Sequence, residues 1–243
     1  MMGKVMATQL DLANTRGTAD IDWLVSRHTF SFANYYNRNR MSFGTLRVIN
    51  DDVVAPARGF DTHPHNDMEI ITVPLSGALR HRDSMGHEYV IKAGEVQVMS
   101  AGTGITHSEF NDSDTEEVAL LQIWVLPKEK CISPRYDQRE LNTSAMSNHF
   151  QLIVAPLDDE LENVIQINQD AYFSMAEVDV GQTINYEKHH DNNGVYFFVI
   201  DGNINIGTQA LGKRDGMGVT ETDSFEITAK EKSKILCMEV PMR

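Results

Sequence analysis

Residues 59–111 contain the two short motifs around which the rest of the chain is arranged. This stretch begins with GFDTHPHNDME (residues 59–69) and ends with SAGTGITHSEFN (residues 100–111). Glycine-bounded runs of this kind are typical of β-strands, in which alternate side chains share a face. One face of the first run carries His63, His65, Asp67 and Glu69, and one face of the second carries His107, Glu109 and Asn111. Imidazoles and carboxylates that converge from two strands predict a metal site.

The donor types indicate which ions such a site would hold. Three imidazoles with one carboxylate suit a divalent ion of Fe, Mn, Co, Ni, Cu or Zn, whereas Mg²⁺ and Ca²⁺ prefer oxygen ligands alone. Asp67 and Glu69 have three open interpretations: a ligand, a partner that orients an imidazole, or a solvated charge at the rim. Four other histidines are interpreted as hydrogen-bonded bystanders, namely His28, His81, His87 and His149.

Between and beyond the motifs the chain is a series of short strands separated by turns. Residues 69–75 form an apolar strand that ends at Ser76-Gly77, and residues 95–99 follow the turn at Ala93-Gly94. Turn signals about every eight to twelve residues favour an antiparallel sandwich or barrel over alternating strands and helices. In the apolar strand 118–126, Gln122 is the one polar interruption, either on a pocket wall or in a buried hydrogen bond.

A break in the strand pattern divides the chain. Residues 128–148 are polar, contain Pro134 and have no clear period, so we expect a connector with one helical turn at most. The predicted division is an N-terminal metal-binding domain at 1–130, a connector at 131–148 and a C-terminal domain at 149–243.

The second half resembles a copy of the first that has lost its ligands. Aligning residues 195–202 with 70–77 sets Lys188 opposite His63, His190 opposite His65 and Gly194 opposite Glu69. No histidine lies in 228–231, the segment that corresponds to His107 and Glu109. The repeat therefore predicts one metal ion per chain, and the His189-His190 pair is interpreted as a surface feature.

Composition excludes several classes of protein. The 243 residues carry a formal net charge of −14, which argues against direct binding to nucleic acid, since such proteins need clustered Lys and Arg. The two cysteines, Cys131 and Cys237, fit a reducing compartment better than a disulfide framework. With neither a secretory signal nor an apolar run of membrane-spanning length, we expect a cytoplasmic protein with no membrane contact.

Three segments carry a resemblance to a known family. The two motifs are similar to the paired motifs of cupins, Gly…His-x-His…Glu…Gly and Gly…Gly…His-x3-Asn. Together with SRHTFSFANYY (residues 26–36), the segments THPH (62–65) and MSAGTGITHSEF (99–110) resemble those of bacterial pirins. The likeness is strong over about residues 20–130 and looser over the C-terminal half.

The resemblance implies an all-β bicupin, with two stacked antiparallel β-barrel domains and one metal ion in the N-terminal barrel. Its implied ligands are His63, His65, His107 and Glu109. The ion is expected to be iron, with Cu, Ni, Co, Mn and Zn as alternatives. Glu69 would then orient a ligand, and Asn66 stands where many relatives carry a basic residue.

Two functions are compatible with this resemblance. Several pirins resemble quercetinases, which bind a flavonol through its 3-hydroxyl and carbonyl and insert O2 to split the heterocycle. A small aromatic substrate and O2 would then be the partners, and Glu109 would act both as a ligand and as the base for the 3-hydroxyl proton. The alternative is a non-enzymatic iron-binding redox sensor whose acidic surface would face a basic protein partner.

Overall fold

The computed structural model describes residues 7–159 and 161–242, which form 22 β-strands and three short 3₁₀ turns. The strands of the first half are β1 (Ala7–Asp11), β2 (Gly17–Ile21), β3 (Leu24–His28), β4 (Leu46–Val54), β5 (Gly59–His65), β6 (Glu69–Ser76), β7 (Ala78–Asp83), β8 (Glu88–Lys92), β9 (Glu95–Ser100), β10 (Ile105–Asn111), β11 (Val118–Val125) and β12 (Arg135–Glu140). Those of the second half are β13 (Gln151–Pro156), β14 (Ile165–Ile167), β15 (Tyr172–Val178), β16 (Thr183–Glu187), β17 (Asn193–Asp201), β18 (Ile204–Ile206), β19 (Gln209–Leu211), β20 (Gly216–Thr220), β21 (Ser224–Ala229) and β22 (Ser233–Pro241). The 3₁₀ turns are Ala13–Thr15, Thr143–Met146 and Leu157–Asp159. The prediction of an all-β fold is confirmed.

Each half of the molecule contains one seven-stranded and one four-stranded sheet. In the first half the orders are β12-β9-β6-β11-β4-β3-β2 and β5-β10-β7-β8. In the second half they are β1-β20-β17-β22-β15-β13-β14 and β16-β21-β18-β19. Neighbouring strands are antiparallel except for the short parallel pair β13 and β14. The two four-stranded sheets therefore have the same arrangement, as expected of a duplicated unit.

Burial along the strands shows how the sheets are layered. The four-stranded sheets alternate buried and exposed residues, so that one face meets solvent, whereas β6, β11 and β17 are buried almost throughout. A strand buried on both faces needs a second layer on each side. One face of each seven-stranded sheet contributes to its own domain interior, and the other packs against the neighbouring domain.

The layer between the domains is the largest apolar cluster of the described residues. It includes Leu46, Ile49, Ile71, Val73, Leu121 and Ile123 from the first sheet, and Phe173, Met175, Tyr196, Phe198, Leu236 and Met238 from the second. Removing these side chains from water is the main favourable contribution to the association of the two sheets. The two domains thus share one continuous core.

One strand, β1, crosses from the first half to the second, and β12 adds an edge strand to the first half from beyond residue 130. β1 lies beside β20 in the second domain's sheet, and β12 lies beside β9 in the first domain's sheet. The predicted connector 131–148 therefore contains a paired strand that the sequence pattern did not indicate, followed by the 3₁₀ turn Thr143–Met146. The division at 1–130, 131–148 and 149–243 stays a prediction. Among the described residues, no helix has both the length and the apolar character needed to cross a membrane.

Candidate metal centre

Three histidines converge on the inward face of the N-terminal four-stranded sheet. β5 and β10 pair antiparallel with His63 directly across from His107, and the Nε2 atoms of these two residues are 3.0 Å apart. His65 completes the group, with its ring centroid 4.9 Å from that of His63 and 5.0 Å from that of His107. One ligand atom from each of the three lies within 4.8 Å of the others. The sequence prediction that these residues meet agrees with this geometry.

The environment disfavours the charged form of His65 and of His107. Burial, followed by the neighbouring imidazoles, lowers the pKa of His107 to about 3 and that of His65 to about 4. The Nδ1–H of His63 donates to the carbonyl of Asp61 at 2.7 Å, which leaves its Nε2 lone pair free. Lone pairs that converge at about 3 Å repel one another unless a proton or a cation lies between them. The group therefore suits a cation.

Glu109 lies on the buried face of β10, the face that also carries His107. Gln122 Nε2 donates to its Oε2 at 2.9 Å, and Thr72 Oγ1 donates to the Oε1 of Gln122 at 3.0 Å. The Oε1 of Glu109 is buried and has no hydrogen-bond partner among the described residues. A buried acceptor without a partner is costly, so this oxygen calls for a donor or a cation. Burial raises the pKa of Glu109, and a bound cation would favour the ionised form.

Together these donors fit a divalent transition metal ion. Three imidazole nitrogens and one buried carboxylate oxygen match the ligand preferences of Fe, Ni, Co, Mn, Cu and Zn. Glu109 groups within 4.8 Å with His107 and His81, while His63 and His65 group with His107 on the other side. His107 is thus common to both groups, and the binding of one ion by all four predicted ligands stays a prediction.

His81 lies beside this centre, a position that its interpretation as a hydrogen-bonded bystander did not anticipate. It lies on β7 directly across from Glu109 on β10, and its ring centroid is 5.3 Å from that of His107. The alternation of residues along β7 could have indicated that His81 points inward. Leu79 and His81 lie on the buried face of the strand, and Arg80 and Arg82 lie on the exposed face. Sequence alone does not show which strand pairs with β7. The other bystanders agree with their interpretation: His28 contacts Asn50, His87 contacts Asp83, and His149 is exposed.

Glu69 points away from the centre, contrary to both the alternation argument and the orienting role that the resemblance implied. The chain turns between β5 and β6, where Asp67 adopts a positive φ of 46° and its carboxylate accepts from the backbone N–H of Cys131 at 2.7 Å. After this turn Glu69 shares a face with Ile71, which packs in the layer between the domains. There Ser100 Oγ donates to Glu69 at 2.6 Å. Alternation cannot be extended across a turn.

An aromatic wall borders the centre. The Trp124 ring packs edge-on against His65 with centroids 4.9 Å apart, and Phe32 packs edge-on against Trp124 at 5.3 Å. All three side chains are half-buried. The wall therefore offers apolar ring surface beside the imidazoles, as sites for planar ligands generally do.

Comparison with known proteins agrees with this fold. Residues 9–125 match the family model described as Pirin, and residues 152–240 match that of the quercetinase C-terminal cupin domain. The chain is 42% identical to a quercetin 2,3-dioxygenase of Escherichia coli K12, across 94% of this chain and 96% of that protein. It is 37% identical to a pirin-like protein of Caulobacter vibrioides, across 92% and 95% of the two chains.

A solved structure extends the comparison to the whole fold. The E. coli bacterial pirin YhhW in complex with nickel(II) superposes with a TM-score of 0.91 at 40% identity, covering 98% of this chain and all of that one. The predicted bicupin architecture is confirmed by the two cupin matches and by this superposition. Relatives this similar along almost the entire length leave one conclusion about descent: the chain belongs to the pirin family.

Proposed function

We propose that the protein is a metal-dependent dioxygenase that inserts O2 into a flavonol or a related aromatic chelator. The observation that carries the proposal is the group formed by His63, His65 and His107. His107 also lies beside the buried carboxylate of Glu109, whose Oε1 has no hydrogen-bond partner among the described residues. The names of its relatives support the reaction class, since the E. coli and several other relatives are called quercetin 2,3-dioxygenases or putative ones.

The proposed ligands of the ion are His63, His65, His107 and Glu109. Iron is the expected ion, and the nickel(II) complex of the E. coli relative supports a divalent transition metal more generally. When bound, such an ion supplies a Lewis acid that a flavonol can chelate through its 3-hydroxyl and carbonyl oxygens.

Glu109 is the proposed base. Gln122 holds one of its carboxylate oxygens at 2.9 Å, and the other oxygen has no partner in the described part of the chain. The free oxygen can accept the 3-hydroxyl proton of a substrate, while the bond from Gln122 fixes the plane of the carboxylate. Thr72 in turn fixes Gln122, because its hydroxyl donates to the amide oxygen and so directs the amide N–H toward Glu109.

Trp124 and Phe32 are the proposed binding surface for the aromatic rings. Their edge-to-face contact gives a rigid apolar wall beside His65. A planar substrate that lies along this wall would shield the reacting carbons from water. The partners implied by this proposal are a small aromatic substrate and O2.

Oxygen uptake with a flavonol tests the proposal. Protein loaded with Fe²⁺ or Ni²⁺ is expected to shift the visible spectrum of quercetin toward that of its anion and to consume one O2 per quercetin. Glu109→Ala, reloaded with metal before rates are compared, is expected to bind quercetin but to turn it over far more slowly. If the loaded wild type does neither above a His63→Ala control, the dioxygenase proposal fails and the sensor with a protein partner becomes the better explanation.

A further inference from the structure

A second group of ligand atoms lies deeper in the same barrel. His81, His107 and Glu109 are 0%, 2% and 3% exposed, and one ligand atom from each lies within 4.8 Å of the others. This group shares His107 and Glu109 with the proposed catalytic centre but replaces the half-buried His63 and His65 with His81. The proposed function assigns no role to His81.

His81 is held in the way that metal-binding histidines are held. Its Nε2 lies 3.3 Å from the Oδ2 of Asp83, and that carboxylate is itself fixed by the backbone N–H groups of Met85 at 2.9 Å and His87 at 3.1 Å. The His87 ring donates to it as well, at 2.9 Å. Because the Asp83 carboxylate accepts from these neighbours, a neutral His81 ring would donate its Nε2–H to it and keep its lone pair on Nδ1.

Each member of the group also has one buried atom without a hydrogen-bond partner among the described residues. These atoms are Nδ1 of His81, Nδ1 of His107 and Oε1 of Glu109. Three unpaired buried atoms in one cluster carry a large cost that a single cation would remove. His107 meets His63 through its Nε2, so its free nitrogen is the other one.

We propose that His81, His107 and Glu109 form a second, inner position for a divalent transition metal ion of the Zn²⁺, Co²⁺ or Ni²⁺ type. Two imidazoles and one carboxylate are a common three-ligand set for such ions. A neutral imidazole has one lone pair, so His107 serves either the inner or the outer position, and the chain still holds one ion at a time. The inner position is buried and offers no opening to a large substrate. An ion there is stored rather than exposed to the flavonol.

The inference rests on the proposed centre only through the shared His107 and Glu109, and it can be tested without any activity. The background is the His63→Ala/His65→Ala double variant, which removes the outer group. Metal-free protein is titrated with Co²⁺, whose visible spectrum reports the number and type of its ligands. The double variant is expected to bind about one Co²⁺ per chain, more weakly than the wild type.

Adding His81→Ala to that background is expected to weaken Co²⁺ binding by at least ~10-fold. The matched control is His149→Ala in the same background, because His149 is exposed and outside both groups. His81→Gln is measured alongside, since glutamine fills the buried volume but is a poor ligand for Co²⁺; circular dichroism verifies that each variant is folded.

Two outcomes would overturn the inner position. One is a double variant that binds no Co²⁺ while the wild type does; the other is an equal effect of His81→Ala and His149→Ala in the double variant. Failure of the dioxygenase proposal would look different, because it would be seen as absent O2 uptake by metal-loaded wild type.

Discussion

The interiors of the two barrels are built from corresponding strands but are lined with opposite chemistry. In the first barrel Gln97, Thr72 and Gln122 lie directly across from one another on β9, β6 and β11. In the second barrel the corresponding row on β20, β17 and β22 is Met217, Phe197 and Cys237. The same fold thus carries a row of polar side chains beside the candidate metal centre in the first barrel and a row of apolar side chains in the packed core of the second.

The difference separates function from stability. The apolar row belongs to a cluster that fills the second interior, with Phe225 and Ile227 facing it from the four-stranded sheet. Within the described part of the chain, the first interior has two small apolar clusters on either side of the polar row. Buried polar groups must be paired to avoid a net cost, so a site of this kind draws on stability supplied elsewhere. The second barrel and the layer between the domains supply it.

Two buried glutamates show the same contrast. Glu109 in the first barrel has one carboxylate oxygen paired and one free. Glu239 in the second barrel accepts from the Tyr186 hydroxyl at 2.9 Å and from the Asn193 amide at 3.0 Å. It also accepts from the backbone N–H groups of His189 and His190 and from the ring of His189. Where the first barrel leaves ligand atoms free for a cation, the second pairs its carboxylate with donors of its own chain. The two groups of three or more potential metal ligands found among the described residues both lie in the first barrel.

The largest expected effect comes from removing the histidine that both ligand groups share. His107→Ala is expected to weaken metal binding by more than ~100-fold. Loss of a residue that merely hydrogen-bonds to a ligand typically lowers metal affinity about 10- to 100-fold, and His107 is itself a proposed ligand. Elemental analysis after dialysis measures the result, against His190→Ala in the second barrel as the matched control. Equal metal loss in the two variants would contradict the assignment of the metal to the first barrel.

Much of this asymmetry could be predicted from the sequence, because it depends on residue types at short spacing. His63, His65, His107 and Glu109 stand in two strand motifs, and the missing histidines of the second half are equally local. What escaped prediction depends on pairing between distant segments. The position of His81 follows from the pairing of β7 with β10, and the exchange of β1 into the second sheet joins residues about 200 apart. The orientation of Glu69 depends on the backbone turn at Asp67, which periodicity does not reveal.

The next effect is on stability and concerns the second barrel. Glu239→Gln replaces an acceptor of several hydrogen bonds with an amide whose NH2 group faces donors, so we expect a loss of about 2–4 kcal/mol at pH 7 with no change in metal content. Although burial opposes it, hydrogen bonds from His189 and His190 lower the pKa of Glu239. The stabilisation is therefore complete above the ordinary glutamate pKa and is lost as pH falls through the native value.

Urea denaturation at pH 7 and at pH 3.5 measures this pair of expectations. The difference in the free energy of unfolding between the wild type and Glu239→Gln should be smaller at the lower pH. Glu226→Gln, which changes an exposed glutamate on β21, serves as the control and should cost little at either pH. A gap that widens on acidification would contradict the proposed role of ionised Glu239.

A smaller effect is expected from making the polar row resemble the apolar one. Gln122→Met keeps the volume but removes the donor to Glu109 and the acceptor for Thr72, so we expect a loss of about 10- to 100-fold in metal affinity or in flavonol turnover. Gln97→Met is the matched control, since Gln97 lies buried in the same row but its side chain makes no hydrogen bond to Glu109 in the described part of the chain. Equal effects of the two substitutions would mean that the row acts through packing alone.

The smallest effect separates Glu69 from the centre altogether. Burial raises the pKa of Glu69 to about 7, against the opposing bond from Ser100. Between the ordinary glutamate pKa and about 7 the native protein holds a proton that the unfolded chain has lost, so stability falls as pH rises through this window and then levels off.

Glu69→Gln removes this dependence of stability on pH. We expect the variant to be about 1–3 kcal/mol more stable than the wild type at pH 8, nearly equal to it at pH 5, and unchanged in metal content. Chemical denaturation at both pH values, combined with metal analysis, measures all three. Metal loss in Glu69→Gln would mean that this carboxylate reaches the first barrel's interior after all, and that the turn at Asp67 does not separate the two faces.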